Sequence, residues 1–240
     1  MTSEVTDTRR SDHLPDNAAD TLEHLLAVRV SYRAFTARPV PDDVIDSILR
    51  TAQLTPSWCN SQSWKLSITR GAGTERIRTA LVAAATSDEP VITDMPFPRE
   101  YRGVHRDRRR QSGLQLYDAL GIDRGDVEGR LKQTLRNFAL FDAPHVAIIH
   151  TDEALGPYGA VDCGAYLSSF LLAATAHGVG SIAQAALAMY PQVLRSELGL
   201  GEDRMIVCGV SFGYPDFDDA SNSYRTTRAP LDEVVDWIDA

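Results

Sequence analysis

Residues 158–188 read YGAVDCGAYLSSFLLAATAHGVGSIAQAALA, and this stretch decides the fold. Up to His177 it is apolar on nearly every side and rich in small residues, which predicts a helix against which other elements pack closely. Gly178-Val-Gly180 then predicts the end of the helix, and Ser181 to Leu187 returns as a short strand. We therefore expect a long, buried central helix in a globular domain.

A membrane-spanning helix is the alternative interpretation, since about 20 apolar residues suffice to cross a bilayer. Polar residues interrupt this run, among them Asp162, Ser168 and Thr175, and no Lys/Arg bias flanks it. The sequence therefore favours the core of a soluble protein.

Length and composition favour one soluble domain, over residues 18–240, in a chain of 240 residues. Residues 1–17 contain no apolar signal segment and are interpreted as a disordered tail. The net charge of −9 argues against a dedicated nucleic-acid binder, and the basic run RDRRR at 106–110 is interpreted as a solvated helix face. Three cysteines without a CxxC pair indicate free thiols and a reducing, cytoplasmic location.

Hydrophobic periodicity predicts an alternation of helices and strands, hence an α/β or α+β class. The predicted helices cover residues 18–28, 42–54, 74–86, 103–138 with a break near 121–123, 191–198 and 230–238. The predicted strands cover 65–69, 146–149 and 204–212. Residues 87–102 contain three prolines and no clear period, so we expect a long loop of the kind that often lines a site.

Three motif matches fail on inspection. Gly209-Val-Ser-Phe-Gly213 resembles a hydrolase nucleophile elbow, but no helix follows and no histidine lies beyond His177. Residues 178–183 match G-x-G-x-x-A, but the helix comes before the strand, which is the wrong order for a dinucleotide fingerprint. His145 and His150 are five apart on a predicted strand, so they face opposite sides and cannot share a metal.

The pattern Arg29-x-Ser31-x-Arg33 is the first that survives. In an extended segment these three side chains point to one side. Two guanidinium groups and a hydroxyl on one face suit a phosphate ester. A charged edge without a ligand is the other interpretation.

Two further polar segments are candidates for binding. PSWCNSQSW at 56–64 contains Ser57, Asn60 and Gln62, whose side chains can meet a planar heterocycle or a polyol; a turn that satisfies only its own backbone is the alternative. Arg225 and Arg228 precede the last predicted helix and could contact an anion, with ordinary surface charge as the alternative.

Together and in this order, these segments resemble the FMN-dependent nitroreductases. The resemblance covers about residues 20–240. It rests on RVSYRAF (29–35), AxxxPSxxNSQxW (52–64), HGVGSIAQ (177–184) and RTTRAPL (225–231), and RRxSGLQLYDALGI (109–122) resembles the nitrobenzoate-reductase-like branch. One departure is Ser63, where the family usually has proline, and it should change the stiffness of the loop more than its chemistry.

The resemblance implies an α+β fold, with a mixed sheet surrounded by helices, and an obligate homodimer with two FMN sites between subunits. Arg29, Ser31 and Arg33 would hold the phosphate and ribityl chain, and Arg228 would close on the phosphate. Ser57 and Asn60 would reach the flavin from the partner subunit, and a backbone N–H near Ala185 would donate to flavin N5. The complete implied cofactor set is Arg29, Ser31, Arg33, Pro56, Ser57, Asn60, Gln62, Ala183, Gln184, Ala185, Arg225 and Arg228.

The implied activity is reduction of nitroaromatic compounds by NAD(P)H, in a ping-pong hydride transfer through flavin N5. No side chain is assigned as acid or base, and no metal is expected. Tyr101, Arg102 and His105 are candidate substrate contacts, with a solvated loop as the alternative. The rival functions are quinone or enone reduction, dehalogenation or azoline dehydrogenation on the same fold, and a flavin-binding protein that is not an enzyme.

Overall fold

The computed structural model describes residues 14–88 and 90–238. Residues 1–13 of the tail predicted over 1–17 therefore lie outside the described residues. Seven helices are described: α1 (Ala18–Val28), α2 (Asp42–Ala52), α3 (Ala72–Ala85), α4 (Gly103–Ala119), α5 (Val127–Leu135), α6 (Gly156–Ala176) and α7 (Pro191–Leu198). The described strands are β1 (Lys65–Arg70), β2 (His145–Asp152), β3 (Gly180–Gln184) and β4 (Arg204–Gly213).

The four strands form one sheet in the order β1-β2-β4-β3, in which every neighbouring pair is antiparallel. Lys65 lies opposite His150 in the first pair, and Gly180 lies opposite Gly213 in the last. Within the part of the chain that the structure describes, parallel pairing is limited to a single bridge between Ser31 and Ser181. The α+β class is thus confirmed, and the parallel component of the expected mixed sheet is this one bridge.

The sheet is covered on both faces, because alternate residues of β2 enter different clusters. Ala147 and Ile149 pack with α2 and α6, whereas Val146 and Ile148 pack with α3 and α7. Residues on both faces of this strand are buried, which explains why it reads as a continuous apolar run.

Helix α6 is buried on one face only. Cys163, Tyr166 and Phe170 pack into the core, whereas the side chains of Tyr158 and Val161 are 59% and 65% exposed. Residues 153–176 form a helix long and apolar enough to cross a membrane. The buried, hydrogen-bonded carboxylate of Asp162 and the packing on the sheet instead fit a core helix.

The end of one predicted strand and the last predicted helix were wrong. The strand after α6 ends at Gln184 instead of Leu187, because residues 185–189 form a 3₁₀ turn. The helix predicted over 230–238 is only a 3₁₀ turn at Leu231–Glu233. Leu231, Val234 and Trp237 are exposed there, so no packed apolar face supports a longer helix.

The loop predicted around residues 87–102 is confirmed for the described residues, and it is tied to the core. Asp94 forms an ion pair with the buried Arg195 at 2.7 Å and accepts a hydrogen bond from the backbone N–H of Ile206 at the same distance.

Candidate functional site

The Arg29–Arg33 segment is held extended beside β3. Arg29 ends α1 with extended backbone angles, and the N–H of Tyr32 donates to the carbonyl of Ser181 at 3.2 Å. The chain passes close to Gly180, where an added Cβ would lie 2.8 Å from the Tyr32 ring. The glycine at this position therefore allows the segment to lie against the strand.

The C-terminal arginines are brought to this segment by Asn222, a residue that the sequence reasoning missed. Its side chain accepts from the N–H of Arg33 at 2.7 Å and donates to the carbonyl of Ala34 at 3.0 Å. Asn222 is buried. The only hint in the sequence is its place just before the Tyr224–Arg228 segment.

These two segments enclose a cavity of about 310 Å³. It is lined by Leu26, Ala27, Arg29, Val30, Ser31, Arg33, Ser112, Tyr224, Arg225, Thr226 and Arg228. No carboxylate is among these lining residues. Ser112, on α4, was also missed as a site residue, although it lies inside the motif at 109–122. The structure therefore joins the first and third candidate motifs in one basic cavity.

The charges in this cavity are not compensated within the described chain. Burial, and then the positive charge of Arg228, lowers the pKa of Arg29. Arg225 and Arg228 donate only to neighbouring backbone and hydroxyl oxygens. Two guanidinium groups that repel each other, with a serine hydroxyl beside them, are suited to a phosphate dianion.

The loop at 56–64 lies elsewhere in the chain and does not line this cavity. Its hub is Asp162 on α6, whose carboxylate accepts hydrogen bonds from the backbone N–H of Trp58 at 3.2 Å and from the hydroxyls of Ser61 and Ser63 at 3.3 and 3.4 Å. Ser63, the departure from the family pattern, thus contributes to this anchor.

Part of the same loop satisfies its own backbone. The Ser57 hydroxyl accepts from the N–H of Gln62 at 2.8 Å, and the Gln62 side chain contacts Asn60 and Gln53. Pro56, Asn60 and Gln62 are exposed. Within one chain, the turn interpretation describes Ser57, and the exposed polar groups of the loop are not among the residues that line the basic cavity.

The end of β3 combines small exposed residues with one buried amide. Ala183 and Ala185 are exposed and present no bulky side chain. Gln184 between them is buried, and its amide donates to the carbonyl of Asn137 at 2.9 Å. The Gln184 side chain is thus occupied by protein partners, and the exposed surface at Ala183–Ala185, called the strip below, consists of the two alanine side chains and backbone.

The predicted substrate contacts lie near the start of α4. Tyr101, Arg102 and His105 are exposed, Arg102 pairs with Glu100, and the Tyr101 ring lies 5.1 Å from the Arg109 guanidinium. None of the three lines the basic cavity.

The described residues contain no group of three or more side chains that could hold a metal. His145 is instead a structural residue: the N–H of Val40 donates to its Nε2 at 3.0 Å, and its Nδ1 lies 3.3 Å from the Thr69 carbonyl. These contacts fit a neutral ring protonated at Nδ1.

Comparison with known proteins gives consistent results. The model of the nitroreductase family matches residues 26–214. The chain is 36% identical over 219 residues to nitroreductase NfnB of Mycolicibacterium smegmatis, covering 90% of this chain and 92% of that protein. It is 30% identical to a 4-nitrobenzoate reductase of Pseudomonas putida, covering 87% and 92%. The crystal structure of FMN-dependent NfnB from Mycobacterium smegmatis in complex with NADPH superposes with a TM-score of 0.88 at 34% identity, covering 92% and 99%.

Proposed function

This chain belongs to the nitroreductase family, and we propose that it is an FMN-dependent enzyme that uses NAD(P)H to reduce nitroaromatic compounds. The observation that carries the proposal is the uncompensated Arg29–Arg228 pair in a cavity without carboxylates. Relatives named as nitrobenzoate and chloronitrobenzene reductases support the substrate class.

The basic cavity would hold the FMN phosphate. Arg29 and Arg228 neutralise the two phosphate charges, and the Ser31 hydroxyl donates a further hydrogen bond. Binding the dianion would offset both the burial of Arg29 and its repulsion by Arg228, the two causes that lower the pKa of Arg29. Arg33 and Arg225 line the same cavity and are assigned to the ribityl chain and the outer phosphate oxygens.

The flavin ring would lie along Ala183–Ala185. Small exposed side chains let a flat ring approach the strand, and a backbone N–H near Ala185 is assigned as the donor to flavin N5. The buried side chain of Gln184 holds the strand in place and does not bind the ring.

A second copy of the chain would complete the site. Tyr158 and Val161 on α6, and Leu22 and Leu26 on α1, are large apolar residues that are more than 40% exposed in the single chain. Such patches are typical of dimer interfaces. Across this interface, the partner's 56–64 loop would bring Pro56, Ser57, Asn60 and Gln62 to the flavin. The free cysteines support a cytoplasmic location.

When bound, FMN would supply the redox chemistry, with hydride entry at N5 and ping-pong order, by which NAD(P)H, one proton from solvent and a nitro compound give NAD(P)⁺, the nitroso compound and water. The protein would bind the FMN phosphate through Arg29 and Arg228 and hold the flavin ring against Ala183–Ala185. No side chain of the site is required as an acid or base.

The test is the double variant Arg29→Ala/Arg228→Ala, compared with Arg50→Ala, an exposed arginine on α2. The wild type should be purified yellow, bleach with anaerobic NADPH and recover its colour on addition of nitrobenzene. The double variant should lose FMN at unchanged far-UV circular dichroism, while Arg50→Ala keeps it. Stoichiometric FMN in the double variant, or a wild type that ignores added FMN, would contradict the proposal.

A further inference from the structure

A second, larger cavity adjoins the first. Its volume is about 880 Å³, and it lies between α4, α5 and Tyr224. Six arginines line it: Arg33, Arg106, Arg109, Arg110, Arg124 and Arg130. Arg33, Ser112 and Tyr224 line both cavities, so the two are neighbours. The basic run at 106–110 lies on an exposed helix face, as its sequence predicts, and Arg106, Arg109 and Arg110 also line this concave surface.

The positive charge of this second cavity is largely uncompensated. No carboxylate lines it among residues 14–88 and 90–238. Within the same residues, the side chains of Arg110 and Arg124 have no hydrogen-bond or ion-pair partner, and of the six arginines only Arg106 forms an ion pair, with Asp107 at 3.5 Å. In a protein of net charge −9, such a local cluster of cations attracts anions to this surface.

Two of the arginines are held in place before any ligand arrives. The guanidinium of Arg130 lies 5.1 Å from the centre of the Tyr117 ring, and that of Arg109 lies 5.1 Å from the Tyr101 ring. The Arg130 Nε is buried without a hydrogen-bond partner in the described chain. The ring contacts fix the direction of both cations. Arg130 also donates one hydrogen bond to the carbonyl of Asp123 at 3.3 Å, which holds it further.

The cavity also extends toward the end of β3. Asn137 lines it, and the carbonyl of Asn137 accepts from the Gln184 amide at 2.9 Å. Gln184 lies between the two alanines assigned to the flavin ring. Asn137 therefore links the lining of this cavity to the strand end assigned to the flavin ring.

The charge and size select the ligand. A nitroaromatic acid carries one carboxylate and needs one arginine, whereas the five arginines that remain when Arg33 is assigned to FMN match several phosphate groups. A volume of about 880 Å³ also suits a group as large as a nucleotide. NADPH differs from NADH by a 2′-phosphate on its adenosine, which adds close to two negative charges at neutral pH.

We infer that this second cavity binds the phosphate groups of the adenosine half of NADPH, and that Arg110 and Arg124 make the protein prefer NADPH to NADH. The inference rests on the proposed function, since it assigns the site of the reductant.

The test uses Arg110→Ala and Arg124→Ala in the FMN-loaded protein, with nitrobenzene as a neutral acceptor. Arg108→Ala is the matched control, because Arg108 lies in the same basic run but pairs with Glu233 at 2.6 Å and does not line the cavity. Each variant should lower kcat/KM for NADPH about tenfold, as expected for one lost charge-assisted contact, and that for NADH less than twofold. The FMN content of each variant should equal that of the wild type, and Arg108→Ala should keep the wild-type kcat/KM for both dinucleotides.

Binding is measured separately by calorimetric titration of the oxidised protein with NADP⁺ and NAD⁺, where only the NADP⁺ affinity should fall. Equal losses for both dinucleotides would overturn the inference. A second result would also overturn it: the variants raise the KM for 4-nitrobenzoate but not for nitrobenzene, while the ratio of kcat/KM for NADPH to that for NADH stays unchanged. The cavity would then bind the substrate carboxylate. A wild type that turns over neither dinucleotide would contradict the proposed function instead.

Discussion

The side-chain oxygen of Gln184 accepts a hydrogen bond from the Ser211 hydroxyl at 2.5 Å, and both residues are buried. The same amide donates to the carbonyl of Asn137. One side chain thus ties the strip at the end of β3 to β4 and to the segment after α5. The residue that the family resemblance suggested as a flavin contact is, in its side chain, a structural link.

Replacing Gln184 should therefore affect stability first. Gln184→Ala removes both hydrogen bonds and leaves buried polar groups unpaired, so the free energy of unfolding of the flavin-free protein should fall by about 2–4 kcal/mol. Urea denaturation measures this, and Ala183→Ser at the neighbouring exposed position should stay within about 0.5 kcal/mol. If Gln184→Ala instead weakened FMN binding at unchanged stability, the Gln184 side chain would be a direct flavin contact after all.

Asp162 should control the order of the 56–64 loop. Cys59, Asn60 and Gln62 all have positive φ there, a conformation that persists only when surrounding contacts enforce it. Asp162→Ala removes the acceptor shared by three donors and should destabilise the protein by at least about 2 kcal/mol. Amide hydrogen exchange over 56–64 should quicken.

The control for this experiment is Ser61→Ala, which removes only one of the three donors to Asp162. It should cost less than about 1 kcal/mol. Unchanged exchange in Asp162→Ala would show that the loop is held by other contacts.

Inorganic phosphate should stabilise the flavin-free protein. A ligand present at ten times its Kd adds about 1.4 kcal/mol of stability when it binds only the folded state. Thermal unfolding in phosphate is compared with unfolding in sodium chloride of equal ionic strength. The Arg29→Ala/Arg228→Ala variant should lose most of the difference between the two salts and keep only what the second cavity contributes, and an undiminished phosphate effect in that variant would assign the anion to another site.

Acid should destabilise the protein through His150. Burial, followed by the charges of Arg204 and Lys65, lowers the pKa of His150 from 6.5 to about 4. Below pH 6.5 the unfolded chain therefore binds a proton that the folded chain refuses until about pH 4, and stability falls through this window. At pH 5 the loss approaches about 2 kcal/mol.

Urea denaturation at pH 7.5 and pH 5.0 checks this contribution of His150. His150→Gln should lessen the loss of stability between the two pH values, whereas His24→Gln, exposed on α1, should not. An identical loss in His150→Gln and the wild type would exclude the buried histidine as its source.

Two of the three thiols should be unreactive in the folded protein. Burial raises the pKa of Cys163 to about 11 and that of Cys208 to about 12, so almost no thiolate forms at pH 8. Titration with a chromogenic disulfide should modify no more than the exposed Cys59, and all three thiols after denaturation. Two fast thiols in the folded state would contradict the packing around α6.

Much of the chain's local structure could be predicted from the sequence, because a buried helix or strand repeats its apolar residues at a characteristic spacing. The helix at 18–28 and the helix at 191–198 have the predicted bounds, and the continuous apolar run at 146–149 is a strand buried on both faces. The family resemblance and the pairing of Arg29 with Ser31 and Arg33 on one face were also accessible, since an extended segment alternates its side chains.

Only the tertiary structure decided which of these segments meet. Asn222 joins the C-terminal arginines to Arg33 across 189 positions of sequence, and three arginines of the exposed basic run at 106–110 meet arginines of distant segments in one cavity. Gln184 is withdrawn into the core, and the last apolar segment forms no helix because nothing in the described chain covers it. These outcomes depend on contacts between distant residues, and local periodicity records only that a side chain is buried, not which partner buries it.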